Sequence, residues 1–343
     1  MLVSIVIPMF NSEKYIASCI NSILNQNFSD YEVIIVDDCS TDDSYKIAQS
    51  FRMRDERIVV VKNDKNKGIC YTRNKGISIA HGKYISFLDD DDILLENFFQ
   101  DNIRLLEEHS ADFIKFGRKL VDINSKNIVL RESFTTFNKK DIEIYDDISK
   151  FLRYDDFKES RVLLNVWNGI YLHSFLEEKH LFFNEDMKYG SEDADFSYKT
   201  FFNARKVIIN PNTYYVHFRR NLSSTSRKYN FNKIISLINT AKTEMSIWKK
   251  LNSEIDINKY KIEYIKIIIS SQLLHKDNNM LIDEKIEVIK KVISEEPLCI
   301  DKATFNNDNF LDNILEYLIF KRYSKIIYML YRIFKIFGGE KWN

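Results

Sequence analysis

The 343-residue chain balances 50 Lys/Arg against 50 Asp/Glu, and 45% of it is hydrophobic, with 14% aromatic. Neutrality argues against a nucleic-acid binder, whose footprint is normally basic, and the apolar content supports a sizeable core rather than bulk disorder. The length allows two domains, or one large domain with an appendage.

The opening "MLVSIVIPMF" has no basic leader and too short an apolar run for a signal peptide. It reads instead as a buried strand, "VSIVIP" (3–8), ended by proline. Residues 12–26 carry an apolar stripe at 16, 20, 23 and 24 with Ser12 as N-cap, which predicts a helix. "YEVIIVDD" (31–38) predicts a second strand, and "STDDSYKIAQSF" (40–51) a helix with acids in its first turn. "RIVVVKN" (57–63), "CYTRNKGISIAHG" (70–82) and "KYISFL" (83–88) continue as strand, glycine-closed helix and strand. This alternation predicts an α/β fold with a doubly wound, mostly parallel, Rossmann-like sheet. A strand at 111–117, a helix at 192–204 and strands at 206–209 and 213–218 follow, while 119–165 resist assignment.

From about 228 the pattern turns helical, with stripes at 231–251 and 260–274. The expected division is a nucleotide-binding and catalytic domain over 1–225 and a helical C-terminal region over 226–343, with the boundary in "NLSSTSRKYN". The four cysteines show no paired spacing and read as thiols in a reducing cytoplasm, the expected location. No stretch approaches the apolar length of a membrane span.

Three predicted strands end in polar residues: Phe10 and Asn11, Asp37 and Asp38, and Asp89 to Asp92. Ligands of open parallel sheets bind outside the carboxyl ends of the strands, so these clusters should share one crevice. Crowded carboxylates are tolerated where a divalent cation offsets their repulsion. Oxygen ligands without a Cys/His set favour Mg²⁺ or Mn²⁺ over zinc. The plainer alternative is a solvated acidic loop, or acids at the start of a helix over "ILLENFFQDNIRLLEE".

Over residues 1–220 the chain resembles the family-2 glycosyltransferases of GT-A fold, mostly bacterial enzymes of surface-polysaccharide synthesis. The resemblance rests on "VSIVIPMFNSEKYIASCINSILNQNFSDYEVIIVDDCSTDDS", "NKGICYTRNKGISIAHGKYISFLDDDD", "NVWNGIY" and "GSEDADF". It implies an inverting transferase that moves a hexose or N-acetylhexosamine from a UDP-sugar to a hydroxyl of a glycan acceptor, often lipid-linked. The donor site would then include Pro8, Phe10 and Asn11 beside the nucleoside, Asp38 at the base and Arg73 near the diphosphate. Asp89, Asp90 and Asp91 correspond to the DxD segment, with Asp91 at the Mn²⁺ or Mg²⁺ ion. Asp193 maps to the general base, although Ser191, Glu192 and Asp193 also suit a plain helix N-terminus.

His217 stands where relatives close over the diphosphate, as either a metal ligand or a hydrogen-bonded structural residue. Arg219 or Arg220 suits a phosphate. Trp167 suits a sugar platform or a core position. Gly169 replaces a lysine common in relatives, and Phe10 replaces a frequent tyrosine. A sugar-nucleotide pyrophosphorylase would need a glycine-rich loop near the N-terminus, and residues 1–40 contain no glycine. An inactive relative serving as a membrane-associated assembly subunit is the other alternative.

Residues 317–343 hold six Lys/Arg against Glu340 alone. On one helix, Lys321, Lys325, Arg332 and Lys335 would line one stripe, opposite Ile319, Tyr323, Ile326, Leu330, Phe334 and Phe337. Such a face (about 317–337) suits the inner surface of the membrane, or packing on a second copy of the chain.

Overall fold

The computed structural model describes residues 1–124, 126, 128–220, 229–251, 256–307 and 309–336. Strands β1 (Val3–Met9) and β2 (Tyr31–Asp37) are buried at every position, as the unbroken β-branched runs require of strands covered on both faces. With β3 (Ile58–Lys62) and β4 (Tyr84–Phe87) they form a parallel block in the order β3-β2-β1-β4. Helices α1 (Ile16–Leu24), α2 (Ser44–Arg52) and α3 (Ile69–Ile79) connect these strands. A Cβ on Gly76 of α3 would fall 2.2 Å from Val6 Cγ1, so only glycine lets the helix lie this close to β1.

After β4 come a two-residue strand β5 (Ile93–Leu94), helix α4 (Phe98–His109), β6 (Phe113–Ile123), β7 (Val129–Thr135), β8 (Glu143–Asp146), β9 (Gly169–Leu172) and β10 (Lys206–Arg220). The full order is β3-β2-β1-β4-β9-β6-β10-β5, with β7 on β6 and β8 on β10. β9 lies antiparallel between β4 and β6, so the sheet is mixed beyond its parallel block. The core joins Ile5, Ile7, Val33, Ile35, Phe98, Phe99, Phe116 and Tyr215. Each such side chain contributes about 1.5–3 kcal/mol on burial.

Four local expectations shift. Ser12 opens the first helical turn through its carbonyl, which accepts the amides of Tyr15 and Ile16, and not through its hydroxyl. α3 stops at Ile79; Gly82 is needed because a Cβ there would meet the Ser4 amide at 2.6 Å. The residues after the aspartates pair as β5 with β10 instead of starting a helix. The two strands expected around Pro211 are one strand, whose register slips between Asn210 and Tyr215 while pairing with β6 persists.

The chain forms two compact units, Met1–Lys188 with Glu192–Thr225, and Tyr189–Ser191 with Ser226–Asn343. Most of the Ser/Thr-rich stretch expected to hold the boundary lies outside the described residues. The second unit is helical: Lys233–Lys250, Asn258–Ile267 running into the π-helical Ile268–Leu273, Ile282–Ser294, Phe310–Phe320 and Ser324–Ile336.

The expected continuous basic helix at 317–337 is broken, because Arg322 takes a left-handed φ of 60°. Lys321 and Arg322 fall in the turn. Ile327, Tyr328 and Tyr331 form the buried face of the last helix, and Ile326, Met329 and Ile333 are exposed beside Lys325 and Arg332. Phe337 lies outside the described residues. Among the described residues, no helix is long and apolar enough to cross a membrane.

Candidate active site

The ends of β1, β2 and β3 form the first part of the site. Pro8 is buried inside β1, and Phe10, just past its end, is 47% exposed. Asn11 adopts φ 53° and accepts the Thr41 amide at 2.9 Å, while its own amide donates to Ser40 Oγ at 3.0 Å. The two aspartates ending β2 divide their work. Asp37 is fully buried, accepts the Ser40 amide at 3.2 Å and lies 3.4 Å from Lys62 Nζ.

Asp38 accepts the amides of Lys67 and Gly68, each at 2.8 Å, and the Asn63 side-chain amide at 2.9 Å. Any contact it makes with a base uses its remaining lone pairs. Its first task is to hold the β3–α3 loop. Asn63, Lys67 and Gly68 were not singled out from sequence. Asn63 sits at the end of a strand, as the selected residues do, and the same rule would have found it.

The four aspartates in a row have four different surroundings. Asp89 accepts Arg73 Nη2 at 3.1 Å. Asp90 accepts the Phe10 amide at 2.9 Å, which ties the end of β1 to this turn. Desolvation, then the charge of Asp91, pushes its carboxyl up to about 8. Asp91, 37% exposed at its side chain, meets Arg220 Nη1 at 2.6 Å. Desolvation and the charge of Asp92 push it up to about 7. Asp92 is fully buried and accepts Tyr215 Oη, His217 Nδ1 and the Phe218 amide, all at 2.8 Å. Burial alone would lower the His217 pKa, yet its hydrogen bond to Asp92 holds it above the ordinary histidine value.

The second half of the site begins at the helix Glu192–Asn203, whose first turn holds Glu192, Asp193 and Asp195. Its link to the aspartate turn is Arg73 of α3, only 1% exposed. The Arg73 guanidinium donates to Asp193 at 2.5 Å, to Asp89 at 3.1 Å and to Glu192 at 3.4 Å. Burial would weaken its charge, but Asp193, Asp89 and Glu192 outweigh that and keep it protonated. Burial also raises the Asp193 carboxyl, and Arg73 pulls it back. Glu192 is pushed up to about 7, by burial and then by Asp193.

Three expected residues find partners inside the protein. Arg73, expected near the diphosphate, meets three carboxylates inside the protein. The Nδ1 of His217 is occupied by Asp92, which leaves Nε2 as its remaining ligating nitrogen. Trp167 is 5% exposed and stacks on Tyr215 at 4.4 Å and His217 at 5.1 Å, so its ring is packed and offers no open platform. The structure joins Asp89 to Asp193 through Arg73, Phe10 to Asp90, and His217 to Asp92. Asp38 stands with Asn63, outside these contacts.

The donor set fits a hard divalent cation: carboxylate oxygens whose pKa values are raised first by burial and then by one another's charge. Among the described residues, no group of three or more His, Cys, Asp or Glu could by itself hold a metal ion. A cation here would take one or two protein ligands and complete its shell with phosphate oxygens, as Mg²⁺ and Mn²⁺ commonly do.

The model of "Glycosyl transferase family 2" matches residues 4–165. The "uncharacterized glycosyltransferase EpsJ" of Bacillus subtilis is 32% identical over 60% of this chain and 58% of its own length. The poly(ribitol-phosphate) beta-N-acetylglucosaminyltransferase TarS of Staphylococcus aureus is 26% identical over 66% of this chain and 37% of its own length. The chain thus spans less than two thirds of these relatives. The crystal structure of S. aureus TarS 1–349 in complex with UDP-GlcNAc superposes with a TM-score of 0.69, covering 97% of this chain and 92% of that one at 22% identity. That likeness establishes the GT-A fold.

Proposed function

We propose, from the premise that residues 4–165 are a glycosyl transferase family 2 domain, that the chain is a metal-dependent inverting glycosyltransferase. It moves a hexose or N-acetylhexosamine from UDP to a hydroxyl of a glycan, lipid-linked in the fullest form of this reading, during surface-polysaccharide synthesis. The observation that carries this reading is the Asp89–Arg73–Asp193 bridge, which ties the DxD turn to an acid across the site.

Phe10 and Asn11 flank the nucleoside, and Asp38 with Asn63 reads the base. Asp89 and Asp90 face the donor, with Asp91 and the remaining nitrogen of His217 as metal ligands. Asp193 takes the proton of the acceptor hydroxyl as its oxygen bonds to the anomeric carbon and the bond to UDP breaks. A single displacement inverts that carbon. Arg73 favours the ionised form of Asp193 against the burial that opposes it, and fixes its distance from the donor turn. A divalent cation bound at Asp91 would offset charge on the departing diphosphate.

UDP release from a panel of UDP-hexoses and UDP-N-acetylhexosamines, with and without Mn²⁺, tests the reading. No release by a protein that binds UDP would replace it with a non-catalytic binding subunit. Asp91→Asn is expected to weaken UDP affinity in Mn²⁺ by about tenfold or more and to leave metal-free affinity unchanged. Calorimetric titration checks this, and an equal loss with and without Mn²⁺ would remove Asp91 from the metal site.

The reading places the enzyme in the cytoplasm, on the inner face of the membrane. Its support is the exposed Ile326, Met329 and Ile333 beside Lys325 and Arg332, with Arg332 and Lys335 close enough to act on Lys285. Flotation with anionic vesicles should recover the protein. Lys325→Glu with Arg332→Glu should reduce binding strongly, each basic residue contributing roughly 1 kcal/mol at such a surface. Equal recovery on neutral vesicles would exclude the electrostatic part.

A further inference from the structure

Among the described residues of the first unit two arginines are deeply buried, and their surroundings differ. Arg73 is held by three carboxylates. Arg118, on β6, is 6% exposed, and its Nε and Nη1 have no hydrogen-bond partner among the described residues. Its guanidinium lies 5.0 Å from the centre of the Trp167 ring. The cations Arg161 and Arg219 oppose its charge and the Tyr215 hydroxyl favours it more weakly, while Arg219 is already paired with Asp122 at 2.8 Å. Burial, then the repulsion of Arg161 and Arg219, draws the Arg118 pKa down to about 10, which still leaves it protonated near neutrality.

A buried charge without a counter-ion is strongly unfavourable. A cation–π contact with Trp167 offsets only part of that. An anion arriving from solution removes the imbalance, and Arg161, exposed at the start of the 3-10 turn Val162–Leu164, supplies a second cation for it.

The position of Arg118 identifies which anion. The strands that end at the nucleoside side of the crevice are β1, β2 and β3, whereas β6 lies beyond β4 and β9 in the sheet. Arg118 aligns with Tyr215 on β10, and Tyr215 stacks on Trp167. Val166, the residue before Trp167, has its backbone close enough to Asp193 to lower that carboxyl's pKa. Arg118 is therefore connected to the acid that receives the acceptor's proton, on the side away from the nucleoside.

We propose that Arg118 and Arg161 form an anion subsite for the acceptor, and that the acceptor glycan carries an acidic oxyanion, a phosphodiester or a carboxylate. The proposal rests on the glycosyltransferase reading and adds the substrate class to it. Arg118 makes the charge-assisted hydrogen bonds to this group, and Arg161 adds a solvent-exposed, salt-sensitive attraction.

The test titrates the full chain, saturated with UDP and Mn²⁺, with dimethyl phosphate, methyl glucuronide and neutral glycerol. Saturable binding of one or both anions and none of glycerol is expected, and the stronger anion identifies the source of the charge. Arg118→Gln should weaken that binding by about tenfold or more, with Arg161→Gln losing less and only at low salt, and neither changing UDP affinity.

Absence of saturable anion binding in the wild type overturns the proposal, as does unchanged binding in both variants. A tenfold loss of UDP affinity in Arg118→Gln also overturns it, by assigning the arginine to the donor diphosphate. If Arg118→Gln does not fold, Arg161→Gln at its exposed position decides. Failure of the wild type to bind UDP would defeat the glycosyltransferase reading alone, because the same anion titration without UDP still reads Arg118.

Discussion

Asp193→Asn is expected to lower kcat for transfer by about 10²–10⁴-fold, the usual contribution of a positioned general base. The substitution keeps size and leaves an oxygen to accept from Arg73, which in the native protein donates to Asp193 at 2.5 Å. What disappears is the ability to take a proton. UDP affinity should therefore stay near the wild-type value, since the nucleotide side of the site is built on β1 to β3 and the aspartate turn. Single-turnover transfer beside UDP titration separates the two effects. An unchanged kcat would falsify the assignment of Asp193 as base, and a matched loss of UDP affinity would recast it as part of the donor site.

Arg73→Met should destabilise the protein by about 3–5 kcal/mol, the range for breaking a buried ion pair on one side. Asp89, Glu192 and Asp193 would then face one another without the cation that all three now share. Activity should fall with stability, because the same guanidinium holds the acid and the donor turn in register. Arg73→Lys should recover only part of the loss, since a single ammonium cannot reproduce the planar fork that reaches three carboxylates.

The deficit should also depend on pH. Without Arg73 the folded-state pKa values of Glu192 and Asp193 rise further above their unfolded values. Such groups destabilise the fold as pH rises through those values, so the variant's deficit should shrink under mild acid. Thermal melts across pH check this, and a variant melting like the wild type at neutral pH would show that the bridge contributes nothing to stability.

The DDDD turn shows how much of the site can be read in the sequence. Its place after an apolar strand marks Asp89 to Asp92 as a site, but consecutive letters cannot say which acid does what. The partners that distinguish them come from far along the chain: Tyr215, His217 and Phe218 for Asp92, Arg220 for Asp91, Arg73 for Asp89 and Phe10 for Asp90. The same limit applies to Arg73. Its helix is legible from sequence, yet only the tertiary contacts of Arg73 with Asp89 after β4 and with Asp193 in the helix Glu192–Asn203 show it as an internal bridge.

Local regularities failed in two instructive places. Pro211 looks like the end of a strand, yet β10 continues through it because slipped pairing with β6 accommodates a residue that cannot donate a backbone hydrogen bond. The basic tail looks like one helix, yet a single left-handed residue, Arg322, breaks it; Ile319 before the break is buried as the stripe predicts, while after it Ile327, Tyr328 and Tyr331 are buried in place of Ile326.

The sequence by itself determined the alternating strands and helices, the acidic and polar clusters at the strand ends, and the family those clusters resemble. These follow from side-chain periodicity and strand-end chemistry, which act over a few residues. Tertiary structure alone decided that Asp92 is sealed behind Tyr215 and His217, that one arginine joins Asp89 to Asp193, and that another is left buried without a carboxylate partner among the described residues. Those outcomes depend on strand pairing and burial between residues about a hundred positions apart, where desolvation sets which charges must be matched and which remain for a ligand.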